Sequence, residues 1–418
     1  MSSLSGLRVL QLVDERTVDA GRILAELGAE VVVVEPAGGS PLRDEPPFVS
    51  DEPGPERSLR WWAGAAGARS IELDLEGDGL ALFDALLDAS DLVLEGRGHA
   101  LDAVDAGWDA RGRTRPSLIW VSITPFGRNS VRADDPATDL TLLAGGGPVW
   151  NCGYDDHSIP PMRGKGNQAY NIGAMYAVIG ALTALAHRDR TGRGQLVDVN
   201  INAACNVTAE HVTYNWLVVQ SVMSRQTGRH ASSAPTAPVQ VRCADGRYAT
   251  TGVLPRSPAE FGRLRAWLDE LGLLDRLPEA VFLDLAARRT ETVEMVDVAS
   301  DPEVAAILAA ARDAMTLIAS ELPAYDFYVA SQQHGFPCGA VVSPDEAFED
   351  PQFAARGFVH EVDHPELERP YRAPGVAYVF SASPCPAPER APLLDEHRDE
   401  LLGSMLTRED ERWIRRQR

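Results

Sequence analysis

Residues 30–36 read EVVVVEP, an unbroken β-branched run between two acids. A half-exposed strand alternates polar and apolar residues. An uninterrupted run of this kind reads as a parallel strand buried on both faces. Ahead of it stand "LRVLQLV" (7–13), another β-type run, and "VDAGRILAELG" (18–28). The latter has apolar residues at helical spacing and ends at a glycine, a common helix stop. Strand, helix and strand in this order make a βαβ unit, hence a parallel sheet with a right-handed crossover. The pattern continues with "RSIELDL" as strand, "GLALFDALLDA" as helix, and "DLVLEG" and "SLIWVSITPFG" as strands. The chain is therefore expected to form a doubly wound α/β domain, whose ligands bind in a crevice at the strand ends. The first turn has no GxGxxG, so the dinucleotide fingerprint is missing.

From Pro136 the texture changes. "PATDLTLLAGGGPVWNCGYDD" reads as a helix followed by loops, and a further helix is expected from about Ile172. "HRDRTGRGQ" is a charged, Gly-broken turn, "LVDVNI" a strand, and a helix around Cys205 to Val222 carries Glu210 and His211. "SRQTGRHASSAPTAPV" (224–239) has linker composition. "VQVRCADGRYATTGV" predicts a hairpin turning at Asp245-Gly246. Helical segments run to about Ser331, followed by the loop-strand pair "HGFPCGAVVSP", "DEAFEDPQFAARG" and a β-rich end. The tail "EDERWIRRQR" reads as a basic surface helix end.

At 418 residues with 44% hydrophobic side chains, the chain is long enough for two domains with a large core. Its net charge of −22 repels polyanions, which excludes nucleic acid and anionic membrane surfaces as expected partners. A small anion held by a few local arginines stays compatible with that field. Five cysteines, scattered and odd in number with no CxxC, point to free thiols rather than disulfides or zinc. The start lacks a signal-like apolar stretch, and the longest apolar run, Ile172 to Ala186, falls short of the ~18 residues that span a bilayer. A cytoplasmic setting is expected.

The stretch "GNQAYNIGAMYAVIG" (166–180) runs from a polar lead-in straight into an apolar small-residue helix, a good place to hold one reactive side chain. It offers Asn167, Gln168, Tyr170 and Asn171, but no Asp, Glu, Cys, Ser or His. Asp139, an acid in the otherwise apolar "PATDLTLLAGGG", is either a helix-start charge or a carboxylate facing the crevice. Glu210 and His211 point apart on a helix and read as structural. Asp155, Asp156 and His157 lack a further metal ligand at useful spacing and read as a solvated loop. "TGRGQ" reads as a helix-to-strand turn with two left-handed glycines, and "LAGGGP" as a place where backbone approaches closely.

Taken in order, "GLRVLQL", "AGRILAELGAEVVVVEPAGGSPLR", "ARSIELDL", "SLIWVSITPFG", "IGALTALAHRDRTGRGQLVDVNI", "GFPCGAVVSPDEAFEDPQFAARG" and "APLLDEHRDELL" resemble the family III CoA-transferases. That group includes formyl-CoA transferase, carnitine CoA-transferase and α-methylacyl-CoA racemase. The resemblance implies a large α/β domain built from both chain ends (1–224 and 341–418) and a smaller α+β domain from the middle (225–340). It also implies an interlocked dimer, acyl-CoA and carboxylic acid substrates, and coenzyme A as substrate rather than as a permanent cofactor. CoA contacts are implied at Arg16, Arg43, Leu73, Asp74, Arg97 and Thr138.

In the transferases an Asp at the start of the helix attacks the thioester, giving an acyl-aspartyl anhydride and free CoA thiolate. Counted back without gaps from Gly180, that position is Tyr170, with Asn171 one residue on. A phenol, with an ordinary pKa of about 10, would give a less reactive ester. The racemase His and Asp fall on Thr138 and Tyr170, and a further acid of that subfamily falls near Pro255. The family carboxylate before the glycine run persists as Asp139. Around the implied CoA site, Arg16-Thr17-Val18 replaces the usual AGP, Ala68 the Lys of GKRS, and "LEGRGH" (94–99) the usual ENFRPG. Three explanations stay open. The chain transfers CoA through another carboxylate, its own or a partner's. It is the silent subunit of a heteromer, a paralogue supplying the Asp. Or it runs other acyl-CoA chemistry with Tyr170 as donor or acid to an enolate oxygen.

Overall fold

The valines of the 30–36 run occupy both faces of a strand with almost no exposure, and the sheet around them follows. The computed structural model describes residues 1–403 apart from Asp78 and Glu368; the tail expected to end as a basic helix lies outside the described residues, as does the side chain of Glu210. Within a six-stranded sheet, β1 (Arg8–Leu12), β2 (Glu30–Glu35), β3 (Arg69–Glu72), β4 (Leu92–Glu95), β5 (Ile119–Thr124) and β6 (Leu196–Asn200) lie in the order β3-β2-β1-β4-β5-β6. Every pairing is parallel.

The pleat sorts side chains by face. Val31, Val9, Leu92 and Ile119 lie opposite one another across four strands and pack on α1 (Val18–Glu26) and on a long helix described below. Their neighbours Val32, Leu10, Val93 and Trp120 point the other way, toward Phe83, Leu86 and Leu87 of α3 (Leu80–Asp88). Between them in the chain, α2 (Leu59–Gly64) sends Trp61 into the first of these clusters. Helices thus cover both faces, as a sheet of apolar runs requires.

Two helices frame the site region. α4 (Asp139–Gly146) starts from a Thr138–Thr141 capping box. The long helix, α5 (Gln168–Thr191), runs 24 residues and packs against α1, α4, β5 and β6. Its buried residues Tyr170, Gly173, Ala174, Ala177, Val178, Ala181 and Ala184 recur at helical spacing, and their small side chains let the helix approach the sheet closely. By length and composition it could cross a membrane, yet this face lies in the core of the α/β unit.

Where β2 ends, a buried ion pair fastens the fold. Glu35 and Arg43 are 0% and 1% exposed. The guanidinium donates Nε to Oε2 at 2.7 Å and Nη2 to Oε1 at 2.8 Å. Ser40 N and Ser70 Oγ fill further acceptor sites on Glu35. Arg43 also binds Glu56 and the Pro392 carbonyl, and lies 4.0 Å above the Trp61 ring. Trp61 Nε1 donates to the same carbonyl at 3.0 Å. The returning carboxyl-terminal segment is thereby tied to the first strands.

The described residues divide into two compact units: 1–150, 162–221 and 351–403 in the first, 151–161 and 222–350 in the second. The second unit has a three-stranded antiparallel sheet of Gln240–Arg242, Tyr248–Thr250 and Gly339–Ala340. Helices Pro258–Glu270, Ala280–Ala287, Pro302–Glu321 and Ala324–Gln333 enclose its core, where Trp267 stacks with Phe327, His334 and Phe336.

Four local expectations need revision. α5 begins at Gln168 rather than near Ile172, because a remote carboxylate caps it. The helix expected from Cys205 to Val222 begins at Ile201 as α6 (Ile201–Thr208) and breaks at Ala209, where Thr208 Oγ1 turns back to the Cys205 carbonyl at 2.7 Å. The linker-like 224–239 contains the hairpin Ser224–Gln226 and Arg229–Ser232, with Arg229 paired to Asp155. In "TGRGQ" only Gly192 is left-handed (φ 73°); a Cβ on Gly194 would meet the Leu118 carbonyl oxygen at 2.1 Å.

Removing one partner of the Glu35–Arg43 pair strands a buried charge, which typically costs about 3–5 kcal/mol. Arg43→Ala is therefore expected to lower the urea midpoint by a corresponding amount, measured by circular dichroism. The exposed pair Arg113–Asp109 should tolerate the same change with a cost under about 1 kcal/mol.

Candidate active site

The strand order reverses between β1 and β4, so the chain leaves their carboxyl ends in opposite directions and a crevice opens there. Residues 13–17 follow β1 and 96–99 follow β4. Asp14 Oδ1 accepts the amides of Arg16 and Thr17 at 2.9 and 3.0 Å and starts α1. Arg16 Nη1 reaches across to the Gly96 carbonyl at 2.5 Å. Glu95 accepts the amides of Arg97 and Gly98, both at 2.7 Å, folding the β4 loop back on its strand. Partial burial raises the Asp14 pKa against the opposing pull of Arg16 and those two amides.

α5 brings its first turn to this crevice. Asp139, 6% exposed at the start of α4, accepts the Ala169 amide at 2.7 Å. Its other oxygen lies 2.9 Å from Arg163 Nη1, at angles that make an ion pair rather than a hydrogen bond. Asp139 thus begins one helix and caps another, and its carboxylate is committed to the Ala169 amide and Arg163. The next residue, Tyr170, is 3% exposed, and its hydroxyl donates to Glu15 Oε1 at 3.0 Å. Burial first, and the adjacent Glu15 carboxylate second, push the phenol's pKa well above that of an ordinary tyrosine. Tyr170 therefore stays protonated near neutral pH and serves as a hydrogen-bond donor. Asn171 is exposed, its amide bonded to the Asn167 carbonyl.

The remaining expected residues lie as follows. Arg97 is partly exposed and 3.5 Å from Glu76. Leu73 is buried, with its amide on the Glu35 carbonyl, and the exposed Asp74 holds the Glu76 amide at 3.0 Å. These residues follow β3 and β4 on the carboxyl edge of the sheet. Thr138 is spent on its capping box, and Arg43 on Glu35, Glu56 and Pro392. Gly146 allows α4 and α6 to touch, since a Cβ there would lie 2.6 Å from Cys205 Cβ; the glycine run serves packing. Trp150, Tyr154 and Trp216 are exposed at 53%, 40% and 50%.

Asp155 pairs with Arg229, Asp156 with Ser158, and His157 with the Arg225 carbonyl. Among the described residues no group of three or more His, Cys, Asp or Glu is arranged to hold a metal. A cavity of about 760 Å³ lies at the opposite edge of the sheet, lined by Glu30, Trp62, Arg69, His364 and Tyr371. Glu30 and Arg69 open β2 and β3, so this volume is remote from the carboxyl-edge crevice that a doubly wound sheet uses.

Glu15 is the residue that sequence reasoning passed over. It carries no motif; its only signal is its place directly after the first strand of a doubly wound sheet.

Two outcomes follow from this geometry. Asp139→Ala leaves the Ala169 amide unpaired, which should cost about 1–3 kcal/mol and speed hydrogen exchange at residues 168–171. Burial, then the Asp139 charge, push the Cys205 thiol up to about 11. An unfolded thiol titrates near ~8.5. The stability tied to this thiol is thus complete below about pH 8.5 and is lost as pH rises toward about 11. Chemical denaturation across that window should show a falling midpoint, and Cys205→Ala should flatten the fall.

A sequence profile described as CoA-transferase family III matches residues 4–398. The succinyl-CoA:(R)-benzylsuccinate CoA-transferase subunit BbsE of Thauera aromatica is 29% identical over 402 residues, covering 95% of this chain and 93% of that one. A succinyl-CoA:mesaconate CoA-transferase of Haloarcula hispanica is 29% identical, with 96% of each chain covered. In fold, the chain is similar to a CAIB/BAIF family protein from Brucella suis, with a TM-score of 0.77 at 24% identity over 97% of this chain and 99% of that one. With the doubly wound sheet and its crevice on the same footing as the profile, the chain belongs to the family III CoA-transferases.

Proposed function

We propose that this chain moves CoA from an acyl-CoA thioester to a carboxylic acid, with a succinyl donor and a dicarboxylic acceptor as the substrate class. The observation that carries the reading is a carboxylate at the switch-point crevice of a family III chain: Glu15, held by the Tyr170 hydroxyl at 3.0 Å. The substrate class draws support from relatives named as succinyl-CoA transferases. Anionic substrates approaching a chain of net charge −22 need local cations, and Arg16 and Arg97 flank the crevice. The free thiols are in keeping with a reducing, cytoplasmic setting.

In this reading the residues have separate tasks. Asp139 fixes the first turn of α5 through the Ala169 amide. That turn sets the Tyr170 hydroxyl, which donates and does not ionise. Arg16, anchored on Gly96, offers positive charge where the thiolate leaves.

A second reading draws support from Tyr170, a buried phenol at the position to which the family resemblance assigns the transferases' Asp, and from relatives named as subunits. Here the attacking carboxylate comes from a second family III chain, and this chain shapes the site.

The purified chain alone, given succinyl-CoA and a panel of dicarboxylic acids, is expected to form the new CoA thioesters, detected by liquid chromatography and mass spectrometry. Turnover that appears only when an Asp-bearing family III chain is co-expressed would decide for the second reading.

A further inference from the structure

We infer that Glu15 is the acyl-accepting carboxylate of this chain, and that Tyr170 positions it. The inference rests on the reading that the chain transfers CoA by itself. Of the described carboxylates around the first turn of α5 and the β1 loop, Asp139 and Asp14 are committed, and Glu45 lies close enough to feel the charge of Glu15. Asp139 holds the Ala169 amide and pairs with Arg163. Asp14 holds the Arg16 and Thr17 amides and starts α1, so moving it would undo that helix start. Among the described residues, Glu15 takes a side-chain hydrogen bond from Tyr170, and it is partly exposed rather than sealed in the core. It lies after β1 at the strand-order reversal, beside the residue that stands where the transferases keep their Asp.

The chemistry balances with what the reaction supplies. A Glu15 carboxylate oxygen attacks the thioester carbonyl carbon, a C–O bond forms, the C–S bond breaks, and the electron pair leaves on the CoA thiolate. The thiolate then attacks the glutamyl carbonyl of the anhydride, releasing the donor acid as carboxylate and leaving CoA bound to Glu15 as a thioester. The acceptor carboxylate attacks that carbonyl, again expelling thiolate and forming a second anhydride. Thiolate attack on the acceptor's acyl carbon gives the new acyl-CoA and restores the Glu15 carboxylate. No oxidant, metal or net proton is required.

Tyr170 fits this sequence as a positioning residue. Its hydroxyl holds one carboxylate oxygen, so the other is the free nucleophile. Once that oxygen is acylated, the same hydroxyl is placed to donate to the oxyanion formed on the glutamyl carbon. An aspartate in the position of Tyr170 would attack from the helix; here the carboxylate is offered from the facing loop on a side chain one methylene longer.

The test treats the full chain with succinyl-CoA and then sodium borohydride, which reduces a glutamyl-CoA thioester to an alcohol, and locates the modified peptide by mass spectrometry. The mark is expected on Glu15. Glu15→Gln should lower kcat by roughly 10³-fold or more while equilibrium dialysis shows CoA binding retained. Tyr170→Phe should lower kcat with the KM for succinyl-CoA little changed, whereas a merely structural role would move both or neither. A mark on Asp14, Glu45 or Asp139, or full exchange by Glu15→Gln, overturns the assignment while self-contained transfer stands. Absence of both mark and exchange in the unaltered chain overturns transfer by this chain alone and the Glu15 assignment with it.

Discussion

A parallel sheet covered by helices on both faces has nowhere to put polar chemistry except at its strand ends. Here that constraint is nearly complete: β1, β2, β4 and β5 expose almost nothing. The loops after the strands must therefore carry the amides, carboxylates and guanidinium groups. Reversal of strand order between β1 and β4 then singles out one gap among those loops. Asp14, Glu15, Arg16, Gly96 and Arg97 are at this gap because of topology, with no motif of their own.

Buried charge divides the acidic residues into two kinds. Glu35 and Arg43 sit in the core because every strong donor and acceptor on them is answered, by each other, Ser40, Ser70, Glu56 and Pro392. Such a pair adds little net stability over an apolar replacement, but it tolerates little change in the geometry of the segments it joins. Asp139 is committed too, though less fully: one oxygen supplies the cap that Asn167 does not, and the other has only the ion pair with Arg163. Glu15 is of the other kind. It is half-buried, takes a hydrogen bond from one hydroxyl, and follows β1 at the strand-order reversal.

The phenol at position 170 takes its character from its surroundings. Burial and a neighbouring negative charge both oppose ionisation of the ring hydroxyl. The same two influences keep it protonated and therefore a hydrogen-bond donor near neutral pH.

The sheet was legible in the residues alone. The run at 30–36 can be satisfied only by burial on both faces, and the spacing of Leu24 and its neighbours fits only a helix covering it. The odd cysteine count and the absent glycine fingerprint were equally direct, since each depends on composition and local order. The start of α5 was not legible: its cap comes from Asp139, which is 30 residues away in sequence. Nor was the fate of Arg43, a plausible anion ligand until Glu35 is seen to enclose it. Glu15 was hidden for the same reason. Sequence fixes what a side chain can do, its charge, size and acidity; which partner meets it depends on contacts between segments far apart in the chain, and only the tertiary structure decides those.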